Sequence, residues 1–475
     1  EFKKFFQNDN LKYKSYVLQG HPDKVQALAE LLDKHDIAYG IKSSGNVKGF
    51  SYGTNKEGSL NATNALVVNT NQPKGKMVKV LMEPDAMLSE PLTYDITAWS
   101  IPHAYGLEAI ASTSLVAYDT NLTIPTVSNI ASPNAAGYIS SWNSMYDAQF
   151  LAALLKNDIR VRFTEKDLKF EGKDFGKGSL VITKSDNRNN PNFNETVVEL
   201  ANKFNRTLYA SATSFGDTRT DFGSPDVKLI NNQRIAILRG EGTSSLNYGA
   251  IWHFFEQQLN FPVTSIDTDD FRPATLENFD VLVLPSGWYR SLGNENTLDE
   301  IKDWVRSGGK IIAFGGAVNL FAGKDGFDLK NNETKEEEDK EQEKGNLTPY
   351  DQRERERVKD FITGSIYKVT IDPSHPMAFG YDTDYYSLKL GSSSYAFLEN
   401  GYNIGYIEDP TSVAGFSGQD AKAKLKNSLV FGEARMGNGS IVYMVDDVLF
   451  RSFWENGKLF FVNALFFVNN NKFTL

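Results

Sequence analysis

A repeated stretch constrains this chain more than any other feature. "LAELLDKHDI" (28–37) lines up with "LAALLKNDI" (151–159). In the first copy, 14–18 reads as a strand, and Val25, Leu28, Ala29 and Leu32 recur at helical spacing through 23–37. In the second, 137–139 precedes 147–159, where Ala148, Leu151, Ala152 and Leu155 repeat that spacing. Each copy continues into a second strand (38–41 and 160–163) and a third (65–69 and 178–182). An internal duplication of a small α/β unit is the expectation. One such unit cannot fill 475 residues, and a composition 40% hydrophobic and 23% charged supports several packed cores rather than disorder.

A different pattern begins at 234. The apolar strand 234–238 enters Gly240-Glu241-Gly242-Thr243-Ser244-Ser245, followed by a helix over 247–259. Strands at 263–266, 281–284 and 310–314 alternate with a helix over 299–306 closed by Gly308-Gly309. A strand at 440–445 and an apolar helix at 458–467 end the pattern. Such alternation predicts a doubly wound, mostly parallel sheet covered on both faces. The expected domains are therefore 1–127 (first α/β unit and an aromatic-rich connector), 128–228 (second unit) and 229–475 (doubly wound domain). The last is interrupted at 331–357 by "NNETKEEEDKEQEK" and "RERER", read as a surface loop entering a solvated helix.

Composition removes several functions. With no cysteine there are no disulfides, thiolate metal sites or cysteine nucleophile. A net charge of −10 without a basic cluster argues against nucleic acid, and no apolar run is long enough to span a bilayer. The chain starts at Glu1 without an initiator methionine, so a fragment of a longer polypeptide is expected.

Two catalytic arrangements can be weighed. His253 and Glu256 form an H-x-x-E pair, and a distant His375 could complete a zinc site. However, the pair sits on a helix whose stripe is Ile251, Phe254, Phe255 and Leu259, and His375 lies in a proline-flanked turn, so all three are rejected as ligands and no metal is expected here. The second is a nucleophile at the end of strand 311–314, where class I glutamine-amidotransferase-like folds present a cysteine, with a histidine after a late strand. This chain has Gly315-Gly316 at the elbow and Asp446-Asp447 after 440–445, so it resembles that fold without its reaction. The remaining candidate is a ligand crevice beyond the carboxyl ends of the strands: Gly240, Glu241, Thr243 and Ser244, then Ser286 and Gly287, then Gly315 and Gly316. The first loop lacks the G-x-G-x-x-G fingerprint, because Ser245 stands where the third glycine would be.

Five stretches carry a wider resemblance: "QPKGKMVKVLMEP" (72–84), "LTYDITAWSIPHAYGL" (92–107), "GEGTSSLNYGAIWHFFEQQLNFPV" (240–263), "DPSHPMAFGY" (372–381) and "VLFRSFWENGKLFFVNALFF" (448–467). Together they resemble the noncatalytic C-terminal region of large bacterial, Bacteroidetes-type zinc carboxypeptidases of the carboxypeptidase A class. That resemblance implies a degenerate amidotransferase-like last domain and an accessory role beside a catalytic domain upstream in the same polypeptide. It also implies zinc held by that absent domain, with no cofactor in this chain, a peptide or cell-wall substrate, and a secreted or periplasmic location. The alternative expectation is a small-molecule or glycan-binding module that uses the crevice.

Overall fold

The computed structural model describes residues 10–84, 98–218, 220–332 and 349–469. The first unit runs β1 (Ser15–Gln19), α1 (Pro22–Lys34), β2 (Gly40–Ser51), β3 (Lys56–Asn69), α2 (Gly75–Met82) and β4 (Glu108–Ser112). The second runs β5 (Gly137–Ser140), α3 (Met145–Lys156), β6 (Arg162–Thr164), β7 (Leu180–Thr183), α4 (Phe193–Lys203), β8 (Tyr209–Ser211) and β9 (Val227–Leu229). The strand orders are β4-β1-β3-β2 and β8-β5-β7-β6, every pairing antiparallel. Both units are therefore split βαβ folds of one topology, as the duplicated stretch predicts. Their first helices end alike. Asp36 and Asp158 take left-handed φ of 53° and 55°, and the next N–H groups, of Ile37 and Ile159, each reach back 3.0 Å to the carbonyls of Leu32 and Leu154.

The third region contains β10 (Ile235–Arg239), α5 (Ser245–His253), β11 (Thr264–Asp267), β12 (Val281–Leu284), α6 (Glu295–Arg306) and β13 (Lys310–Phe314). It continues through β14 (Ile362–Ile371), β15 (Asp384–Lys389), β16 (Tyr402–Ile407), β17 (Ser412–Ser417), β18 (Ser428–Met436), β19 (Gly439–Met444) and α7 (Glu455–Phe466). The sheet order is β11-β10-β12-β13-β19-β18-β16-β14-β15, with β17 also on β14. The first five strands are parallel, as the β/α alternation predicts. Beyond β19 the sheet extends through antiparallel strands that the sequence reading did not place. Alternate residues of the parallel strands serve different faces. Ile235 and Ile237 pack with Phe254 and Phe461, whereas Ala236 and Leu238 share a core with Leu298, Ile301 and Val305 of α6.

One helix joins the three regions. In α7 the polar Asn456, Lys458 and Asn463 are buried along with the apolar residues. Asn463 Oδ1 accepts the Trp142 indole N–H at 2.9 Å, and its amide donates to the carbonyls of Met377 and Phe379. Phe467, just after the helix, stacks on Phe163 of the second unit. Lys24 of the first unit donates to Asn456 Oδ1 at 2.7 Å. At the helix's far end the buried Lys310 ammonium donates to the carbonyls of Ala464 and Leu465, both at 2.9 Å.

The helix expected over 247–259 is α5 continued by a wider π-helical turn, Phe254–Leu259. Of the charged stretch 331–357, residues 333–348 lie outside the described residues; its end forms the short helix Arg353–Val358. Within 92–107, residues 92–97 also lie outside, and Ala98 and Ile101–Tyr105 are buried.

Candidate functional site

The carboxyl ends of β10, β12, β13 and β19 surround a cavity of about 760 Å³. Two of the loops that lead into it are locked together. Trp288 N–H donates to the Gly242 carbonyl at 2.7 Å, and a Cβ at Gly287 would lie 2.2 Å from that same oxygen, so this crossing requires glycine. Ser286 joins the next pair of elements: its N–H donates to Asn247 Oδ1 at 2.7 Å, its carbonyl accepts the Ser244 N–H at 2.8 Å, and its Oγ accepts the Gly316 N–H at 3.0 Å. Gly315 adopts φ +48°, and a Cβ there would press against Ser286 Oγ at 2.9 Å. The elbow after β13 is thus a tight turn shaped for glycine.

Of the residues singled out from sequence, Ser244, Ser286, Gly315 and Gly316 line the cavity. Thr243 and Gly287 pair with each other just behind that lining. Gly240 and Glu241 lie to one side, where Gly240 abuts Asp267 and the Glu241 carbonyl accepts the Thr268 hydroxyl at 3.0 Å. The opposite wall comes from the antiparallel extension and the turn after β19: Leu388, Lys389, Leu390, Asp446, Asp447, Phe450 and Arg451.

The electrostatics of that wall are specific. Lys389 and Asp446, both buried, pair at 2.9 Å, and Asp446 also accepts the Ser387 hydroxyl at 2.6 Å. Asp447 Oδ1 accepts the Leu449 N–H at 3.0 Å. Burial pushes the Asp447 carboxyl up to about 6; the Leu449 N–H and the nearby Asn247 amide offset part of that rise. Asn247 is 5% exposed, and its Nδ2, closed to solvent, lies beside the Asp447 carboxyl just outside hydrogen-bond distance of any acceptor among the described residues. Arg451 and Ser452 hold consecutive left-handed φ of 47° and 61°, and the Arg451 guanidinium lies over the Trp99 ring at 5.3 Å. Asn247, Lys389, Asp447 and Arg451 were missed as lining residues; the sequence signal was a pair of carboxylates directly after an apolar strand.

His253, Glu256 and His375 do not meet. His253 is exposed on the cavity wall, and Glu256 accepts the Trp252 indole N–H at 3.0 Å. His375 is buried elsewhere, its Nε2 2.9 Å from Glu433 and its Nδ1 accepting the Met377 N–H. Among the described residues no three His, Asp or Glu side chains gather as metal ligands, and no helix is long and apolar enough to cross a membrane. These residues do not fit a zinc ion, and no step is assigned to one.

No family model and no curated protein matches the chain. It is similar to a solved protein described as ThuA-like from Bacteroides uniformis (11% identity, TM-score 0.30, 49% of this chain and 89% of that one). It is also similar to a glutamine amidotransferase from Thermotoga maritima (9%, TM-score 0.29, 46% and 77%) and a β-galactosidase from Bacillus circulans (11%, TM-score 0.28, 57% and 33%). The assignment of a doubly wound α/β fold rests on the strand order of this chain.

Proposed function

We propose that this chain is a support and binding region without peptide-cleaving chemistry of its own, and that its last domain holds a small ligand in the crevice at the carboxyl ends of the parallel strands. The observation that carries this reading is the cavity whose elbow bears Gly315 and Gly316 where a nucleophile would stand. The Ser286 hydroxyl accepts from Gly316, the Ser244 hydroxyl accepts from Asn247, and His253 shares a hydrogen bond with neither. A serine without a base is a poor nucleophile but a good hydrogen-bonding group.

The domain it supports would be a zinc carboxypeptidase of the same polypeptide, exported to the periplasm or beyond and acting on peptide or cell-wall substrate. Only the motif resemblance supports that part. The way α7 binds all three regions into one packed body suits such a role, because a rigid support positions a neighbouring domain.

Zinc analysis of the untagged, folded chain together with a carboxypeptidase assay tests the reading. No bound zinc and no release of C-terminal amino acids are expected. Stoichiometric zinc that is lost in His253→Gln would overturn it.

A further inference from the structure

The geometry points to a second binding site, in the cleft between the two repeated units, that takes an extended, uncharged peptide segment as an added strand along residues 121–124. A cavity of about 770 Å³ lies there, sharing no lining residue with the crevice of the last domain, so the two sites stand or fall separately. Part of the stretch joining the units, 120–127, runs along it and is fastened at both ends. The Ile41 N–H donates to the Thr120 carbonyl at 2.8 Å, and the Thr120 N–H donates back to the Ile41 carbonyl at 3.2 Å. Further on, the Val127 N–H donates to Asn205 Oδ1 at 2.6 Å, and the Asn205 amide donates to the Pro125 carbonyl at 2.9 Å. Between these anchors the N–H and carbonyl groups of Asn121, Leu122, Thr123 and Ile124 have no partner among the described residues, and no helix, strand or turn includes them. Leu122 packs on the core, and the other three are exposed. Unpaired backbone of this kind is what an incoming strand pairs with, and because it is already anchored, pairing orders little additional chain.

The buried lining sets which side chains such a segment carries. Ser140 is 2% exposed, and its hydroxyl, without a partner among the described residues, opens on the cavity. Nearby in the same lining, the Arg206 guanidinium bonds both Asp23 and Asp147. Two carboxylates outnumber one guanidinium, and the N-termini of α1 and α3, whose first turns carry those carboxylates, offset the difference. The exposed rim adds neutral groups, among them Thr63, Thr123, Ser141 and Thr207. A serine, threonine or asparagine side chain gives Ser140 the hydrogen bond it lacks, whereas a charged one loses water without gaining a free counter-charge.

A saccharide would use the hydroxyls and leave the backbone of residues 121–124 unmet. An extended peptide meets both, with its main chain on the anchored stretch and one short polar side chain directed at Ser140.

The test is calorimetry and hydrogen exchange on the full chain with the peptide acetyl-Thr-Val-Ser-Val-Thr-amide. Its controls are the same peptide N-methylated throughout, two versions with the central serine replaced by aspartate or lysine, and cellobiose. The parent peptide is expected to bind and to slow exchange at residues 121–124 about tenfold at saturation. N-methylation should weaken binding at least about tenfold, and each charged replacement about tenfold. Ser140→Ala should weaken it about fivefold, one net hydrogen bond. Thr123→Pro and Ile124→Pro each remove a main-chain donor that the free chain leaves unpartnered, so both should fold, and at least one should weaken binding about fivefold. Failure of the parent peptide to bind at about 1 mM overturns the proposal. So does equal binding of the N-methylated peptide, unchanged exchange at 121–124, or indifference to all three substitutions. Cellobiose binding that Ser140→Ala abolishes, with the peptide silent, assigns the cleft to a saccharide instead.

Discussion

The two split βαβ units share one strand order, yet one sheet closes and the other stays open. In the first unit β2 is 12 residues long, and its end reaches β4, pairing Phe50 with Ala111 and Ser51 with Ile110. In the second, β6 has three residues and cannot reach β8; its free edge is covered by β9 instead. Topology is thus set by the order of strands and helices, whereas closure is set by the length of one hairpin. The helices diverge as well. Helix α1 buries one face, but α3 packs on several sides and buries eight of its 12 residues. The units meet through Arg206, whose guanidinium bonds Asp23 of one and Asp147 of the other at 2.7 and 3.0 Å, with Ser144 Oγ on Asp23 at 2.5 Å. Burial pushes Asp147 up; at Asp23 the bonds from Arg206 and Ser144 outweigh burial and hold the carboxyl down.

Breaking that junction should have the largest effect. Arg206→Met leaves two buried carboxylates without their cation and is expected to cost about 3–5 kcal/mol in urea denaturation. Adding Asp23→Asn and Asp147→Asn should recover most of it, whereas no recovery would mean that the cation acts by packing alone.

Acid should loosen the first unit before the second. His103, between the rings of Tyr52 and Tyr386, has its pKa pushed by burial down to about 3. A depressed folded value means that its contribution is complete above the unfolded value of 6.5 and is lost as pH falls through 3, a change on the order of 5 kcal/mol. His103→Phe should flatten the acid limb of the stability profile; an unchanged limb would assign acid sensitivity elsewhere.

The equivalent leucines separate the two helices. Leu28→Ala and Leu151→Ala should each cost about 2–5 kcal/mol, with Leu151 the costlier because packed neighbours on several sides of α3 prevent collapse. The reverse order in paired melts would contradict that account.

Closure is tested at Gly49, where a Cβ would lie 2.3 Å from the Ala111 carbonyl. Gly49→Val should cost about 1–3 kcal/mol and raise hydrogen exchange at β4 without affecting the second unit. In the crevice, Asp447→Asn should stabilise the protein at pH 7 by on the order of 1–2 kcal/mol. With the folded value raised to about 6, the carboxyl's stability contribution is full below pH 4 and fades as pH rises through 6. A gain at pH 7 that vanishes near pH 4 fits this sign; a constant gain does not.

Regular periodicity was legible where one face of an element is buried. The stripe Val25, Leu28, Ala29 and Leu32 marked α1, and the apolar runs 235–238, 281–284 and 311–314 marked the parallel strands, because burial on both sheet faces demands such runs. The long β2–β3 hairpin was read only at 38–41 and 65–69. Its inward residues Val47, Leu60 and Ala62 are sparse among glycines and polar residues. The site was half legible for a similar reason. Turn residues at strand ends, Ser244, Ser286, Gly315 and Gly316, follow from local pattern, but Lys389 reaches the cavity from a strand 75 residues beyond β13, along an antiparallel extension that no local signal announced.

The sequence alone determined the repeated units, the doubly wound sheet, the absence of cysteine chemistry and the glycine elbow, since each depends on local periodicity or residue type. Only the tertiary structure decided which units share a core, which buried charges find partners, and which atoms face one cavity. His253 and His375 end in different surroundings, while Asn247 and Asp447, 200 residues apart, end side by side. Those outcomes depend on long-range packing of α7 and the sheet, where the cost of an unpaired buried group is set by neighbours distant in sequence.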